Sequence, residues 1–385
     1  MDLPRMNPLR TTLGAAALLL LSTRARAGTS TEVHREEARS PRLSAERGLS
    51  ARSADGSFDL RLGLLSQLRY ERSDAADLTQ RSNFVVRMVR PQIRGSLVVP
   101  RVQFFVQPEL AGASARLLDF EVNLKPTSGV QLRLGQFLTP FSRSFQTPVP
   151  RLQFPDFSLA SDFFRADRDT GAMLWGSLWE GLFTYQAAVF NGNGINKGSN
   201  DDDRMLWMGR LQVDPLGSMP LDETASLASH RPPRLSLGVN AYRGEVMRSE
   251  QRADPSSGLP KSLPLGVDHN QTAGADLAFT WERFTSLVEI YARNATGYNG
   301  KRTQAAGGFV QVGLQILDRT LELAGRLDLL DPDRNTPRDQ IRAAEALATV
   351  YVDGNHLKFQ GRYTHLLHET DPPAHRITLQ TQLFF

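Results

Sequence analysis

Arginine supplies 40 of the 45 basic residues in this 385-residue chain, and lysine occurs only at positions 125, 197, 261, 301 and 358. A guanidinium is permanently charged and presents a planar fork of donors that fits carboxylate or phosphate oxygens. The arginines therefore suit two kinds of chemistry: pairing with the 41 acidic residues of the chain, or contact with anionic solutes. Genome composition would give the same bias with no function attached. Other chemistry is poorly represented. The chain has no cysteine, which removes disulfides, thiolate zinc sites and cysteine nucleophiles. His365 and His368 stand outside any HExxH or serine-nucleophile pattern. Asp119 and Glu121 are two carboxylates on one face of a strand, a spacing that suits charge balance as well as acid–base work. Gly192 to Gly198 resembles a phosphate-binding loop but lacks the helix such a loop needs. Asp201-Asp202-Asp203 reads as a solvated acidic loop rather than a calcium site, which takes 6–8 spaced oxygens. No metal or organic cofactor is implied.

These residues sit on elements with period-two patterning. Phe58, Leu60, Leu62, Leu64, Leu68 and Tyr70 fall on one face, and Asp59, Arg61, Gln67, Arg69 and Glu71 on the other. Successive side chains of a strand point to opposite faces, and a helix with this spacing has no clean apolar side. The alternation recurs to the end of the chain, where Ile377, Leu379, Leu383 and Phe385 oppose Arg376, Gln380 and Gln382. It predicts about 16 strands, near 58–70, 83–95, 101–111, 117–125, 129–138, 167–179, 182–190, 204–213, 234–243, 270–281, 283–293, 306–316, 319–329, 342–353, 356–367 and 375–385. Short connections (126–128, 180–181, 353–354) alternate with long ones (139–166, 191–203, 244–269). The mean hydropathy is negative, against a bundle of membrane helices, each of which needs roughly 20 apolar residues. Alternating strands joined by short turns and long loops predict an all-β fold: a transmembrane antiparallel β-barrel. Tyr70, Trp175, Trp179, Trp207, Trp281, Tyr291, Tyr298, Tyr363, Phe384 and Phe385 lie at strand ends, as interfacial girdles do. A soluble sandwich also alternates. It would show more fully apolar strands, and a propeller would show a blade repeat.

Residues 1–27 read as an export signal. Arg5 and Arg10 precede the apolar run Leu13–Leu21, and Ala25-Arg26-Ala27 is a small-x-small cleavage site. The segment carries four Arg and one Asp, so its removal takes the formal charge from +4 to about +1. Nucleic-acid binding, which needs a basic face, loses its argument. Residues 28–57 are polar and mixed in charge, a mobile segment facing the periplasm, with a short strand within 48–53 before an Asp55-Gly56 turn. The barrel then spans 58–385, in outer-membrane lipid and lipopolysaccharide. Its terminal Phe385 has the position and type of the signal read by the barrel assembly machinery.

Several stretches, in order, resemble the phosphate-selective porin O and P family. They are Phe84-Val-Val-Arg-Met-Val-Arg-Pro-Gln-Ile-Arg-Gly95, Leu132-Arg-Leu-Gly-Gln-Phe-Leu-Thr-Pro-Phe141, Arg168-Asp-Thr-Gly-Ala-Met-Leu-Trp-Gly176, Tyr185-Gln-Ala-Ala-Val-Phe-Asn-Gly192 and Ala324-Gly-Arg-Leu-Asp-Leu-Leu330. The resemblance runs from about Gly48 to Phe385 and is closest before residue 215. It implies a homotrimeric, 16-stranded outer-membrane porin with its third long loop folded inwards. Phosphate selectivity belongs to some members only.

On that reading, loop 139–166 is the constriction, stiffened by Pro140, Pro148, Pro150 and Pro155 and charged by Arg143, Arg151, Arg165, Asp156 and Asp162. Strand parity turns Arg61, Arg69, Arg133, Arg326, Lys358 and Arg362 into the lumen, with Asp119, Glu121, Glu289, Glu322 and Asp328. The same charges on a lipid face would cost about 2–4 kcal/mol at the midplane. Arg87, Arg90 and Arg94 differ in parity, which places at least one at an interface or a bulge. The expected function is passive diffusion of small hydrophilic solutes, with a bias towards anions such as phosphate. No catalytic set is legible. The alternative is a non-conducting barrel acting as an embedded enzyme or as an adhesion or structural protein.

Overall fold

The structure is a computed structural model that describes residues 42–44, 48–75, 78–112, 114–200, 204–224, 227, 232–253, 260–297, 299–370 and 372–385. The export signal, Asp201-Asp202-Asp203 and Tyr298 lie outside these residues.

Two short strands, β1 (Arg42–Ser44) and β2 (Leu49–Arg52), precede sixteen longer ones. These are β3 (Phe58–Ala75), β4 (Leu78–Leu97), β5 (Val102–Glu109), β6 (Arg116–Leu124), β7 (Gln131–Leu138), β8 (Arg168–Leu178), β9 (Phe183–Phe190) and β10 (Leu206–Val213). They continue as β11 (Arg234–Ala253), β12 (Pro260–Trp281), β13 (Phe284–Thr296), β14 (Arg302–Leu317), β15 (Leu321–Asp331), β16 (Ile341–Asp353), β17 (Leu357–His368) and β18 (Ala374–Phe384). From β3 onwards each strand pairs with its sequence neighbours, and β18 pairs with β3, so the sheet closes. Closure leaves no edge unpaired, the condition for a sheet to cross a bilayer.

The two faces invert the pattern of a soluble protein. Phe84 is 84% exposed on the outer face, while Gln382 and Thr349 are fully buried inside. Apolar residues such as Leu68, Ile290, Leu327 and Val352 face outwards, and Gln67, Asp276 and Gln380 face inwards. Apolar out and polar in suits a lipid solvent around a polar interior. The chain is a closed 16-strand antiparallel β-barrel of the outer-membrane type.

Three expectations change. Residues 244–269, read as a long loop, are largely an extension of β11 and β12, paired from Gly244↔Asn270 out to Ala253↔Pro260. Antiparallel backbone pairing satisfies the peptide groups there despite weak alternation and several prolines. Trp175 and Tyr291, read as girdle residues, point inwards: the Trp175 indole donates to Asn123 Oδ1 at 2.9 Å, and Tyr291 is buried.

The seam involves both ends of the barrel. β3 pairs with β18 from Leu65 to Asp74 and with β2 from Asp59 to Leu62. Phe385 bridges the gap, exchanging backbone hydrogen bonds with Leu64 at 2.9 and 3.1 Å. Gly63 makes room for it, since a Cβ there would fall 2.3 Å from the Phe385 carbonyl oxygen.

Candidate functional site

The loop between β7 and β8 folds into the barrel. It carries α1 (Arg143–Gln146), a tight turn at Val149–Arg151 and α2 (Leu159–Phe164). Ser142 and Ser158 cap the two helices, accepting from Phe145 N at 3.1 Å and Ser161 N at 2.9 Å. Helices this short have little stability of their own, so the wall must hold them. Glu289 accepts the backbone N–H groups of Arg143 and Ser144 at 2.9 and 2.7 Å, and Tyr291 donates to its other oxygen. Phe141 and Phe164 stack on Tyr291, with centroids 5.7 and 5.2 Å away. Lys358 donates to the carbonyls of Pro150 and Leu152 at 3.0 and 2.9 Å, and Gln360 to that of Gln153 at 2.9 Å. Arg326 donates to the carbonyls of Asp156 and Phe157 with its guanidinium over Phe154. Glu322 takes hydrogen bonds from Gln153 Nε2 and the Tyr351 hydroxyl. Wall polar groups thus satisfy loop backbone that would cost about 1–3 kcal/mol per unpaired group.

This anchoring corrects the assignment of several site residues. Glu289, Glu322, Lys358, Arg326 and Asp328 point into the barrel, yet all are buried beneath the loop. Arg143 is 1% exposed and donates to Ser236 Oγ and the Pro220 carbonyl at 3.0 and 2.6 Å. It does not face open space. Parity specifies inside or outside; it does not say which half of the interior the loop fills.

The open half is a cleft of about 2580 Å³ between the loop and the β3–β8 wall. Asp59 and Asp214 line it near one end, Glu71 and His368 near the other, so it runs the length of the barrel. A cluster of charges on its lining surrounds Asp156. Arg69 grips both carboxylate oxygens, Nη2–Oδ1 at 3.0 Å and Nη1–Oδ2 at 3.1 Å. Arg362 donates to Oδ2 at 2.8 Å, and Arg87 lies 3.7 Å from Oδ1. Burial alone would raise the Asp156 pKa, but the charges of Arg362, Arg69 and Arg87 hold the carboxyl well below the ordinary range. These guanidinium groups have other carboxylates as well: Arg69 lies 2.9 Å from Glu71, and Arg362 lies 3.8 Å from Glu345.

Elsewhere the wall is mostly paired. Arg90 binds Glu109 at 2.6 Å, Arg168 binds Asp119 at 2.9 Å, and Arg133 lies 3.3 Å from Glu121. Gln92, Gln107 and Asp119 join these in a hydrogen-bonded row across β4, β5 and β6. Arg133 stacks near Trp175, and Arg165 lies over Phe145 and Phe157 while pairing with Asp162 at 2.7 Å. Arg61 lines the cleft 3.5 Å from Asp59. Arg94 and Arg151 differ: among the described residues neither has a carboxylate at ion-pair distance. Arg94 donates to Gln92 Oε1 at 3.0 Å and stacks on Phe105, and Arg151 is exposed on the loop.

The constriction and lumen residues therefore divide. Arg61, Arg69, Arg133, Arg151, Arg165, Arg362, Asp119, Glu121, Asp156 and Asp162 line the cleft. Arg87, Arg90 and Arg94 all line it too. The register shifts between Gln67↔Met88 and Leu68↔Val86, leaving Arg87 as the extra residue of a β-bulge, and the bulge re-aims it inwards. Reading alone missed the roles of Arg168 and Glu109, and of the inward-folded segment 214–224. The last had a signal: it follows β10, where the alternation of connections calls for a short turn. Among the described residues no group of three or more His, Cys, Asp or Glu side chains is arranged to hold a metal.

No protein-family model matches the sequence, and no curated protein does. Solved structures do match the fold. An anion-selective porin from Comamonas acidovorans aligns with a TM-score of 0.62 at 11% identity, covering 85% of this chain and 100% of that one. A loop-deletion mutant of OmpT, an outer membrane protein of Vibrio cholerae, aligns at 0.58 with 12% identity, covering 86% and 100%. The outer membrane channel DcaP of Acinetobacter baumannii aligns at 0.53 with 10% identity, covering 86% and 98%. At these identities the likeness is one of fold: this chain shares the outer-membrane β-barrel architecture of those proteins.

Proposed function

We propose that the protein is an outer-membrane porin, a water-filled channel for passive diffusion of small hydrophilic solutes with a bias towards anions. The observation that carries this is the cleft along the β3–β8 wall, whose lining includes Arg94 and Arg151, neither with a carboxylate at ion-pair distance among the described residues, and the three arginines around Asp156. A pore selects ions through the charges that line it, and Arg94 and Arg151 put positive charge with no carboxylate at ion-pair distance among the described residues on this lining. The fold likeness to an anion-selective porin supports the same reading. The short-turn end then faces the periplasm. Export through a cleaved signal, insertion by the assembly machinery using Phe385, a lipid and lipopolysaccharide surround, and a homotrimeric state complete the proposal; the trimer rests on the family resemblance.

Phosphate meets a wall whose arginines are mostly paired. Arg90, Arg133 and Arg168 already pair with carboxylates, so few forks remain to strip a doubly charged anion of water. The test is reversal potential across a KCl gradient in a planar bilayer, then with phosphate added. Anion-favouring conductance that weakens in Arg94→Ala and Arg151→Ala supports the proposal. Unselective conductance removes the anion bias and leaves a general porin. A folded, inserted barrel without conductance sinks the channel and promotes the enzyme or adhesion reading.

A further inference from the structure

Two loops enter the barrel from opposite ends and meet inside it. Between β10 and β11 the connection spans 214–233, while the other turns at that end take between two and six residues. Its described stretch 214–224 is folded inwards, with Asp214, Met219, Glu223 and Thr224 buried; residues 227, 232 and 233 are also described. Asp214 Oδ2 accepts from Met219 N at 2.8 Å and shapes the turn. Met219 joins the apolar cluster of Phe141 and Phe164 beneath the constriction loop.

The hydrogen bonds between the loops run both ways. Arg143 of the constriction loop donates to the Pro220 carbonyl at 2.6 Å and, at 3.5 Å, to that of Met219. Glu223 donates its backbone N–H to the Arg151 carbonyl at 3.0 Å. The Glu223 carboxylate accepts from Gln153 N at 3.5 Å and from Gln311 Nε2 of β14 at 2.9 Å, tying both loops to the wall. A fully buried guanidinium is costly unless its donors are occupied. Among the described residues Arg143 has no carboxylate at ion-pair distance, and carbonyls of the opposite loop with Ser236 occupy its donors.

We propose that segment 214–224 sets the width of the passage from the short-turn side, clasping the constriction loop through Arg143 and Glu223 and holding it against the β11–β17 wall. The two residues are positioning residues, and neither contacts the solute. The proposal rests on the channel reading given above, but its structural half is testable without conduction.

The chain has no cysteine, so a single Met219→Cys reports on the clasp in the full-length protein. In folded, membrane-inserted barrel the buried thiol should react slowly with a maleimide. Adding Arg143→Ala or Glu223→Ala should speed labelling by about tenfold, as loss of a buried hydrogen-bonded contact opens the site locally. Without the reporter cysteine, the same two variants should show larger single-channel conductance with frequent closures, and Glu223→Gln, which keeps an acceptor, should resemble the unaltered protein. Should Arg143→Ala fail to fold, Arg143→Lys keeps the charge and loses the fork, and should label at an intermediate rate. Unaltered labelling and conductance in folded Arg143 and Glu223 variants would overturn the clasp. Faster labelling in a barrel that never conducts would keep the clasp and sink the channel.

Discussion

Asp156 of the constriction loop and Arg69 of β3 face each other across the barrel interior in a two-pronged pair, at 3.0 and 3.1 Å. The same carboxylate takes Arg362 at 2.8 Å. One acidic side chain therefore organises cations from both sides of the β18–β3 seam and pins the loop among them. It also masks part of the positive charge that the passage presents to solutes.

Removing that mask should increase anion preference. In Asp156→Asn the three arginines lose a charge about 4 Å or less away, worth about 1 kcal/mol in a water-like dielectric, or roughly fivefold in local anion concentration. Reversal potentials across a KCl gradient should move further to the anion side. An unchanged reversal potential would mean that Asp156 does not sit beside the conducting path.

The pH dependence should separate two carboxyls. Asp156 has its pKa depressed by its arginine neighbours, so its contribution is present above the ordinary aspartate value of about 3.9 and fades only as pH falls through the lower, folded value. The anion bias should be flat from pH 8 to about pH 5. Burial pushes the Glu223 carboxyl up. Its contribution to the clasp is therefore complete below the ordinary glutamate value and is lost as pH rises through the raised one. Labelling of Met219→Cys should accelerate with pH more steeply than in the same protein carrying Glu223→Gln, the control for thiol ionisation. Parallel profiles would show that Glu223 does not titrate in this range.

Lys358 tests the anchoring. Lys358→Met removes the donor to two loop carbonyls, at 3.0 and 2.9 Å, and each buried acceptor left unpaired costs about 1–3 kcal/mol. The barrel should still form, with a lower thermal transition by circular dichroism and noisier single-channel records. An unchanged transition would mean that the loop finds other donors.

Closure depends on Gly63. A methyl group there meets the Phe385 carbonyl oxygen at 2.3 Å, whereas at Gly325 the nearest atom, the Glu345 carbonyl oxygen, lies 3.8 Å off. Gly63→Ala should reduce the yield of folded, heat-modifiable barrel on gels, and Gly325→Ala should leave it unchanged. Equal yields would show that the seam relaxes freely.

The alternation of Phe58–Tyr70 and its repeats made the strands legible, and the export signal with the short-turn and long-loop spacing pointed to a membrane barrel rather than a sandwich. Period two in lipid has one solution, and turn spacing set the strand number; Phe385 could be read as the end of a closing strand. Parity also determined that Arg61, Arg133, Glu289 and Lys358 point inwards. Only the tertiary structure decided what inwards means for each. Arg133 meets the open cleft, while Lys358 and Glu289 meet the backbone of a loop more than a hundred residues away in sequence. Arg143 looked like a selectivity residue because it is a cation in the constriction loop, yet the opposite loop takes its donors. Period and spacing are local properties of a strand. Which wall a loop packs against depends on where buried acceptors and aromatic faces fall around the closed sheet, and that is settled only when distant strands come together.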